Sequence, residues 1–430
     1  TTDQRVALGA ARDGRLTAVI HQATAETSTY EEFTEATLNA TRFLHSCPNL
    51  TTEYRLAPMN VHTPTYMRAP GEASGVYALE CAMDELAVAL RMDPIELRLK
   101  NEPSRDEFKE LPFSSRSTRE CYRVGAERFG WSRRTPEPRS MRDGRLFVGQ
   151  GMASATYPMN RAPCSAKARL FPDGTAHVTS AASDMGPGTW TSMTQVAADA
   201  LGLPIEKVRF ELGDTDLPRA PVHGGSLTMA SVGSAVQAAC LEAKRQAMAR
   251  AGQPNIDLAE AMRRIGEPVE AEVTSEPGDE SARFSMHAFG AVFAEVTVDP
   301  DLGLTRVRRI VGAYGAGRIV NPKTTRSQCI GGMVGGIGMA LLEHTVVDER
   351  NGRVVNGSLA DYLVPVNADI VELDASFVEE HDPHVNPLGV KGVGEIALVG
   401  VAAAIANAVY HASGKRVRDL PITAEKLLSL

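Results

Sequence analysis

The segment LGVKGVGEIALVG, residues 388–400, holds a single carboxylate, Glu395. Its neighbours are Gly389, Gly392 and Gly394, small aliphatic residues and one lysine, Lys391. An apolar run with helical character, IALVGVAAAIANAVYHA, follows. An acid among apolar neighbours is poorly solvated, which suits a general base working near neutrality. The competing reading is an ordinary first-turn acid that caps the following helix. Residues 392–397 (GVGEIA) also fit GxGxxA, a nucleotide-binding fingerprint. That reading is rejected, because HDPHVNPLGVK ahead of it is not a buried strand and no βαβ unit surrounds it.

The same kind of turn recurs. Gly, Ser or Thr-rich turns run into expected helix starts at MRAPGEASG (67–75), DMGPGTWT (184–191), GGSLTMASVGSA (224–235) and GVKGVGE (389–395). Helix N-termini carry free N–H groups and partial positive charge, so they favour anions. Any one of these turns is as well read as a capped helix start. Together they point to a large, anionic cofactor held at many places. Arg68 fits a forked contact to cofactor oxygens, or else an interdomain salt bridge. Gln328 either turns its amide toward a ligand or is a plain helical residue. Ser226, Thr228 and Ser231 bind or cap, and Gln195 reads as an exposed helical position. Gly331, Gly332, Gly335 and Gly336 form two i,i+4 pairs that suit close helix–helix contact.

The chain has 430 residues, enough for two or more domains, and 43% hydrophobic against 23% charged residues marks an ordinary globular protein. A net charge of −8 argues against general nucleic-acid binding. No apolar run reaches the length of a membrane span, and no signal-peptide pattern is read. The six cysteines lie far apart, which excludes CxxC zinc sites and ordinary iron–sulfur ligation; they read as buried, reduced thiols. His381 and His384 in HDPH are the closest histidine pair, and HExxH is absent, so no metal held by protein ligands is expected.

These residues need elements to hold them. Residues 1–30 read as strand, D-G turn and strand, entered in mid-domain, so a fragment or an upstream half elsewhere is expected. Residues 31–46 read as short helix or loop. A helix is expected over VYALECAMDELAVALRM, with Val76, Leu79, Met83, Leu86 and Leu90 at helical spacing. Asp93, Pro94 and Glu96 spell the next helix start, as N-cap, first residue and capping-box partner. The charged, Pro-rich stretch 132–144 is the expected linker. Beyond it come LFVGQGMAS, a hairpin of AKARLF and TAHVTSAA around P-D-G, a helix stopped by Gly202, the strand VRFELGD, and a long helix over VQAACLEAKRQAMARA. Residues 252–282 are polar with one short helix. Strands return at FGAVFAEVTVD and LTRVRRIVGAY, before the Gly-studded helix SQCIGGMVGGIGMALLEH. Strand pairs followed by helices argue an α+β fold with mixed sheets and flanking helices.

At this point five motifs, in order, become recognisable: MRAPGEASGVYALECAMDELAVALRMDPIELRLKNE, SDMGPGTWTSMTQVAADALGLP, GGSLTMASVGSAVQAA, VNPKTTRSQCIGGMVGGIGMALLE and GVKGVGEIALVGVAAAIANAVYHASGKRVRDLPIT. Across essentially the whole chain the sequence resembles the molybdenum-binding large subunit of the xanthine oxidase/aldehyde oxidase family, in its C-terminal part. The wording is nearest to bacterial three-subunit aldehyde oxidoreductases. The resemblance implies a molybdopterin cofactor, in bacteria usually molybdopterin cytosine dinucleotide, whose dithiolene holds the molybdenum. It implies cofactor contacts from Arg68 and Gly71, from Gly186, Gly188 and Thr189, from Thr228, Ala230 and Ser231, and from Gln328, Gly392 and Gly394. Glu395 matches the catalytic base, and electrons leave through 2Fe-2S centres to FAD on partner subunits.

The resemblance also sets expectations for the whole. Residues 1–131 are the remainder of a first molybdopterin-binding domain and 145–430 a second. The implied reaction is aldehyde oxidation to the carboxylic acid with water-derived oxygen; hydroxylation of an aromatic N-heterocycle and an inactive, cofactor-free fragment are the alternatives. Pro187 stands where many relatives carry Gln. The arginine of purine-hydroxylating relatives falls at Ala36, which favours aldehydes. The family's upstream α/β domain and GGxFG loop are missing, so this piece alone is expected to be inactive. The expected compartment is the cytoplasm, or the periplasm where a partner subunit carries an export signal.

Overall fold

Alternation and a tight turn build the first layer. In this computed structural model, which describes residues 1–252 and 256–428, β1 (Thr2–Ala10) and β2 (Leu16–Ser28) form the antiparallel hairpin expected from the D-G turn. β3 (Leu50–Met59) joins β2 in parallel, giving the order β1-β2-β3. Residues 31–46 form a loop with one short 3-10 turn at Ala40–Arg42, not an α-helix. Helix α1 (Glu72–Leu90) buries Leu79, Met83 and Ala87 against Leu16, Val19, Phe43 and Leu44. Its Val76, Tyr77 and Cys81 join the main core. Helix α2 (Pro94–Lys100) starts as expected, with Asp93 Oδ1 accepting from the N–H groups of Ile95 at 2.7 Å and Glu96 at 3.3 Å. The return bond that a capping box would take from Glu96 is not formed among the described residues.

The main sheet has five strands, in the order β14-β11-β10-β5-β4. They are β4 (Met141–Asp143), β5 (Leu146–Pro158), β10 (His287–Val298), β11 (Thr305–Gly315) and β14 (Glu372–Phe377). All neighbours are antiparallel except β11 and β14. Both faces are covered, so β5 and β10 are buried almost end to end. Helix α3 (Thr118–Phe129) covers one face, packing Cys121 and Phe129 with Met152, Phe293 and Val311. Helix α9 (Val401–Ser413), rich in Ala, lies on the other at backbone contact: a Cβ on Gly149 would meet the Ala408 carbonyl oxygen at 1.9 Å. The 132–144 segment passes from the buried Trp131 into β4, and Arg139 donates to the carbonyls of His411 and Ser413. A buried ion pair ties the helices to β5: Glu80 accepts from Arg98 at 2.8 Å and from the Ser154 N–H at 2.5 Å.

The second sheet runs β8-β7-β6-β9. It contains the expected P-D-G hairpin of β6 (Cys164–Leu170) and β7 (Ala176–Thr179), then β8 (Val208–Glu211) and β9 (Val269–Ser275). Helices α4 (Thr189–Leu201), α5 (Thr228–Ala251) and α6 (Leu258–Ile265) share its core. Strand β9 corrects the reading of 252–282 as polar with one helix. Its alternation VEAEVTS buries Val269 and Ala271 beside β6 while its glutamates face out. Residues 253–255 of that stretch lie outside the described residues. The single turn α7 (Glu280–Arg283) follows. Helix α8 (Pro322–Leu341) then leads into a lobe with the two-residue strands β12 (Val347–Asp348) and β13 (Arg353–Val354). The close contact expected of the α8 glycines is present: a Cβ on Gly332 would meet Ala397 at 2.8 Å, and one on Gly336 would meet Val401 at 2.4 Å.

Candidate active site

Two connections converge where the two sheets meet. Residues 386–395 approach from β14, and residues 224–228 enter α5. Asn386 shapes the first: its Oδ1 accepts from the N–H groups of Leu388 and Val390, and its Nδ2 donates to the Val390 carbonyl. The Lys391 N–H donates to the Ala316 carbonyl at 3.0 Å. Its side chain is fully buried, with Nζ 3.2 Å from Glu380 and 3.2 Å from Asp382 and 2.5 Å from the Ser115 hydroxyl. Burial pulls the Asp382 carboxyl up, but the Lys391 ammonium and the Ser114 and Ser115 hydroxyls outweigh it and hold the group below its ordinary range. The HDPH motif therefore serves through Asp382; His381 and His384 are both exposed.

Glu395 sits at the end of this anchored loop, half-buried. Its Oε2 accepts from the Ser226 hydroxyl at 2.8 Å and its Oε1 from the Ala69 N–H at 3.2 Å. The helix expected to begin beside it starts six residues later, at Val401, after a run of turns. Glu395 is therefore not a first-turn acid. Gly400, at φ 85°, is what allows the chain to turn into α9. The loop approaches Ser226 so closely that a Cβ on Gly392 would lie 2.2 Å from the Ser226 carbonyl oxygen. A Cβ on Gly394 would lie 3.3 Å from Ser226 Oγ and 3.8 Å from Gln328 Oε1, so Gln328 adjoins the same spot. Among the described residues Arg68 makes no salt bridge. Its Nε donates to the Gly394 carbonyl at 2.5 Å and an Nη to the Gln328 carbonyl at 2.8 Å, clamping this loop to α8. Burial lowers its pKa.

The four glycine-rich turns differ in what occupies them. At α4 the anion is the chain's own Asp184, whose carboxylate accepts from the N–H groups of Gly186 at 2.8 Å, Gly188 at 3.3 Å and Thr189 at 2.6 Å. Ahead of α1, the Gly71 N–H donates to Glu35 at 3.1 Å. Among the described residues the start of α5 finds no side-chain cap, and it lies within the motif, at Thr228, so Thr228, Ala230 and Ser231 are helical. The Ser231 hydroxyl accepts from the Ala162 N–H at 3.0 Å and is spent inside the fold. Among the described residues, the N–H groups of Gly392, Val393, Gly394 and Glu395 find no acceptor in the chain, like those of the first turn of α5. Gln195, expected to be exposed, is partly buried and accepts from Asn321 at 3.0 Å. All six cysteines are free thiols; five are buried, and Cys47 is half-buried.

Comparison with known proteins decides what this arrangement belongs to. Residues 1–102 and 124–371 match two family models, each described as a molybdopterin cofactor-binding domain. The chain belongs to the molybdenum-binding large subunits of the xanthine oxidase/aldehyde oxidase family. It is 39% identical over 445 residues to the aldehyde oxidoreductase molybdenum-binding subunit PaoC of Escherichia coli O157:H7, covering 99% of this chain and 60% of that one. It is 33% identical to the putative xanthine dehydrogenase molybdenum-binding subunit XdhA of Escherichia coli K12, over 86% and 53% of the two chains. The aldehyde oxidoreductase structure from Desulfovibrio gigas superposes with a TM-score of 0.81 at 26% identity, over 99% of this chain and 48% of that one. The chain thus spans about half to three-fifths of the length of these relatives.

The donor set of this site fits the cofactor named by the matching family models. Molybdopterin is rich in anionic and carbonyl oxygens, and the site offers unpaired N–H groups at Gly392–Glu395 and at the uncapped start of α5. The Gln328 amide and the free edge of Arg68 complete the acceptor-seeking rim. Sequence reasoning missed three other residues beside Glu395. Tyr157, at the end of β5, has its phenol raised by burial and by the adjoining Glu395, so it stays protonated. Glu72 and Glu35 flank the same space. The signal for Glu72 was its place as the lone acid in MRAPGEASG. Asp184 was legible as the first residue of DMGPGT, an Asx turn ahead of a helix.

Proposed function

We propose that this chain oxidises aldehydes to carboxylic acids as part of a molybdenum hydroxylase, with Glu395 as the general base. The observation that carries the proposal is the Glu395 carboxylate, half-buried, with one oxygen held by Ser226 and the other by the Ala69 N–H. Two donors from two different elements fix its plane and leave lone pairs free to accept a proton. Bound molybdopterin supplies the metal at which water-derived oxygen is added and two electrons are accepted. Gly392, Gly394, Gln328, Arg68, Thr228 and Ala230 hold it in this reading, with Ser231 bracing the start of α5. Gly186, Gly188, Thr189 and Gly71 contribute shape, since Asp184 and Glu35 already take their N–H groups. Ala36 lines the cleft beside Glu395, and among the described residues no basic one does, which favours a neutral aldehyde over a purine.

The cytosine dinucleotide form of the cofactor, with 2Fe-2S and FAD subunits as electron acceptors, completes the proposal. So do two cofactor domains, 1–131 and 145–430, joined through 132–144. Activity in this reading needs the remaining polypeptide that relatives carry, and the chain expressed alone is inactive. The test is Glu395→Gln in the complete enzyme. Cofactor content, measured as molybdenum and pterin, should stay unchanged while turnover of an aldehyde falls by roughly 10²–10⁴-fold. Near-normal turnover would sink the assignment of Glu395.

A further inference from the structure

A cleft of about 410 Å³ opens beside Glu395, lined in part by Glu35, Ala36, Tyr66, Pro70, Glu72 and Tyr157. That volume suits a ring-sized molecule with a substituent. Pro70 follows Ala69, whose N–H holds Glu395, and Tyr157 adjoins the Glu395 carboxylate, so the cleft and the base share a wall. The acids in this wall are unusual. Glu72 is 1% exposed; Asn39 donates to its Oε1 at 2.7 Å, while its Oε2 has no hydrogen-bond partner among the described residues. A buried acceptor left unpaired is costly, and its cost is relieved when a donor arrives. Glu35 lies on the same side, with one oxygen on the Gly71 N–H. Among the described residues, no lysine, arginine or histidine lines the cleft to balance these groups.

We propose that this cleft is a substrate subsite for ring compounds whose far end carries a hydrogen-bond donor, cationic donors best, with Glu72 as acceptor and Glu35 as its charge partner. Carboxylate-bearing ligands are rejected by the same pair. The inference rests on the aldehyde-oxidising reading only for its turnover arm. Burial pushes the Glu72 carboxyl up to about 7 and raises that of Glu35, the state expected of acids awaiting a compensating partner. The other titratable groups lining the cleft are Tyr66 and Tyr157, and Glu395 adjoins it through Tyr157.

The test is calorimetric titration of the complete protein at pH 8 with two probes of one shape, benzylamine and benzoate. Benzylamine should bind at least tenfold more tightly, and Glu72→Gln should reduce that ratio at least fivefold. Equal affinities, no binding of benzylamine, or a ratio unchanged in Glu72→Gln would each overturn the proposal. In the holoenzyme, kcat/KM for 3-hydroxybenzaldehyde should exceed that for 3-formylbenzoate, and Glu72→Gln should narrow the gap. Failure to oxidise any aldehyde would instead sink the catalytic reading and leave the calorimetric result standing.

Discussion

Lys391→Met removes the buried cation that anchors the loop carrying Glu395. Its ammonium lies 3.2 Å from Glu380 and 3.2 Å from Asp382, whose side chains are 4% and 0% exposed. At that distance and an effective dielectric near 20, each contact has a gross Coulomb energy of roughly 5 kcal/mol. Desolvation of three charges and repulsion between the carboxylates cancel much of it. What remains after truncation is two buried acids without a counter-ion, a loss of about 3–5 kcal/mol. Urea denaturation followed through the fluorescence of the buried Trp131 measures the loss. The sign with pH follows from Asp382. Its folded pKa is depressed, so in the wild type its stabilisation is present above the ordinary carboxylate pKa and is lost as pH falls through the folded value. In Lys391→Met the burial that raises the Asp382 carboxyl is no longer offset by the ammonium, so the deficit should shrink as the pH is lowered toward 5. Adding Glu380→Gln and Asp382→Asn should recover most of the stability. A single-variant loss under about 1 kcal/mol, or a triple variant no better than the single, would refute the reasoning.

Three further outcomes follow from contacts in the site. Gly392→Ala places a methyl 2.2 Å from the Ser226 carbonyl oxygen, so Ser226 must move off Glu395; turnover should fall at least tenfold while the far-ultraviolet spectrum is kept, and unchanged kcat would contradict this. Asp184→Ala uncovers three N–H groups at the start of α4 and should cost about 1–2 kcal/mol by denaturant titration, with added phosphate or sulfate restoring part of it. Glu72 has a folded pKa raised to about 7 from 4.5, so the native state binds the extra proton and loses stability as pH rises from 4.5 to 7. The loss is on the order of 3 kcal/mol, and Glu72→Gln should flatten that part of the stability profile.

The sequence by itself determined the elements whose signals are local. The D-G and P-D-G turns, the Asp93–Pro94 helix start and the strands around PDLG are all where short-range patterns put them. Motif wording was enough to identify the family and to single out Glu395, Arg68 and Gln328. Tertiary structure alone decided what those residues touch. The run after Glu395 is apolar because it packs against α8, with Ala397 at Gly332 and Val401 at Gly336, and it runs in turns until Val401. Arg68 looked available for an anion, yet it spends two donors on the carbonyls of Gly394 and Gln328, residues more than 250 positions away. Of four similar glycine-rich turns, the one at α4 is filled by its own Asp184 and the one at α1 by Glu35, 36 residues away, while among the described residues the start of α5 and the Gly392–Glu395 loop keep free N–H groups. The Asp184 cap is local and could be read in the motif, but Glu35 reaches Gly71 from a separate loop, and no local pattern encodes an acceptor supplied from outside the turn.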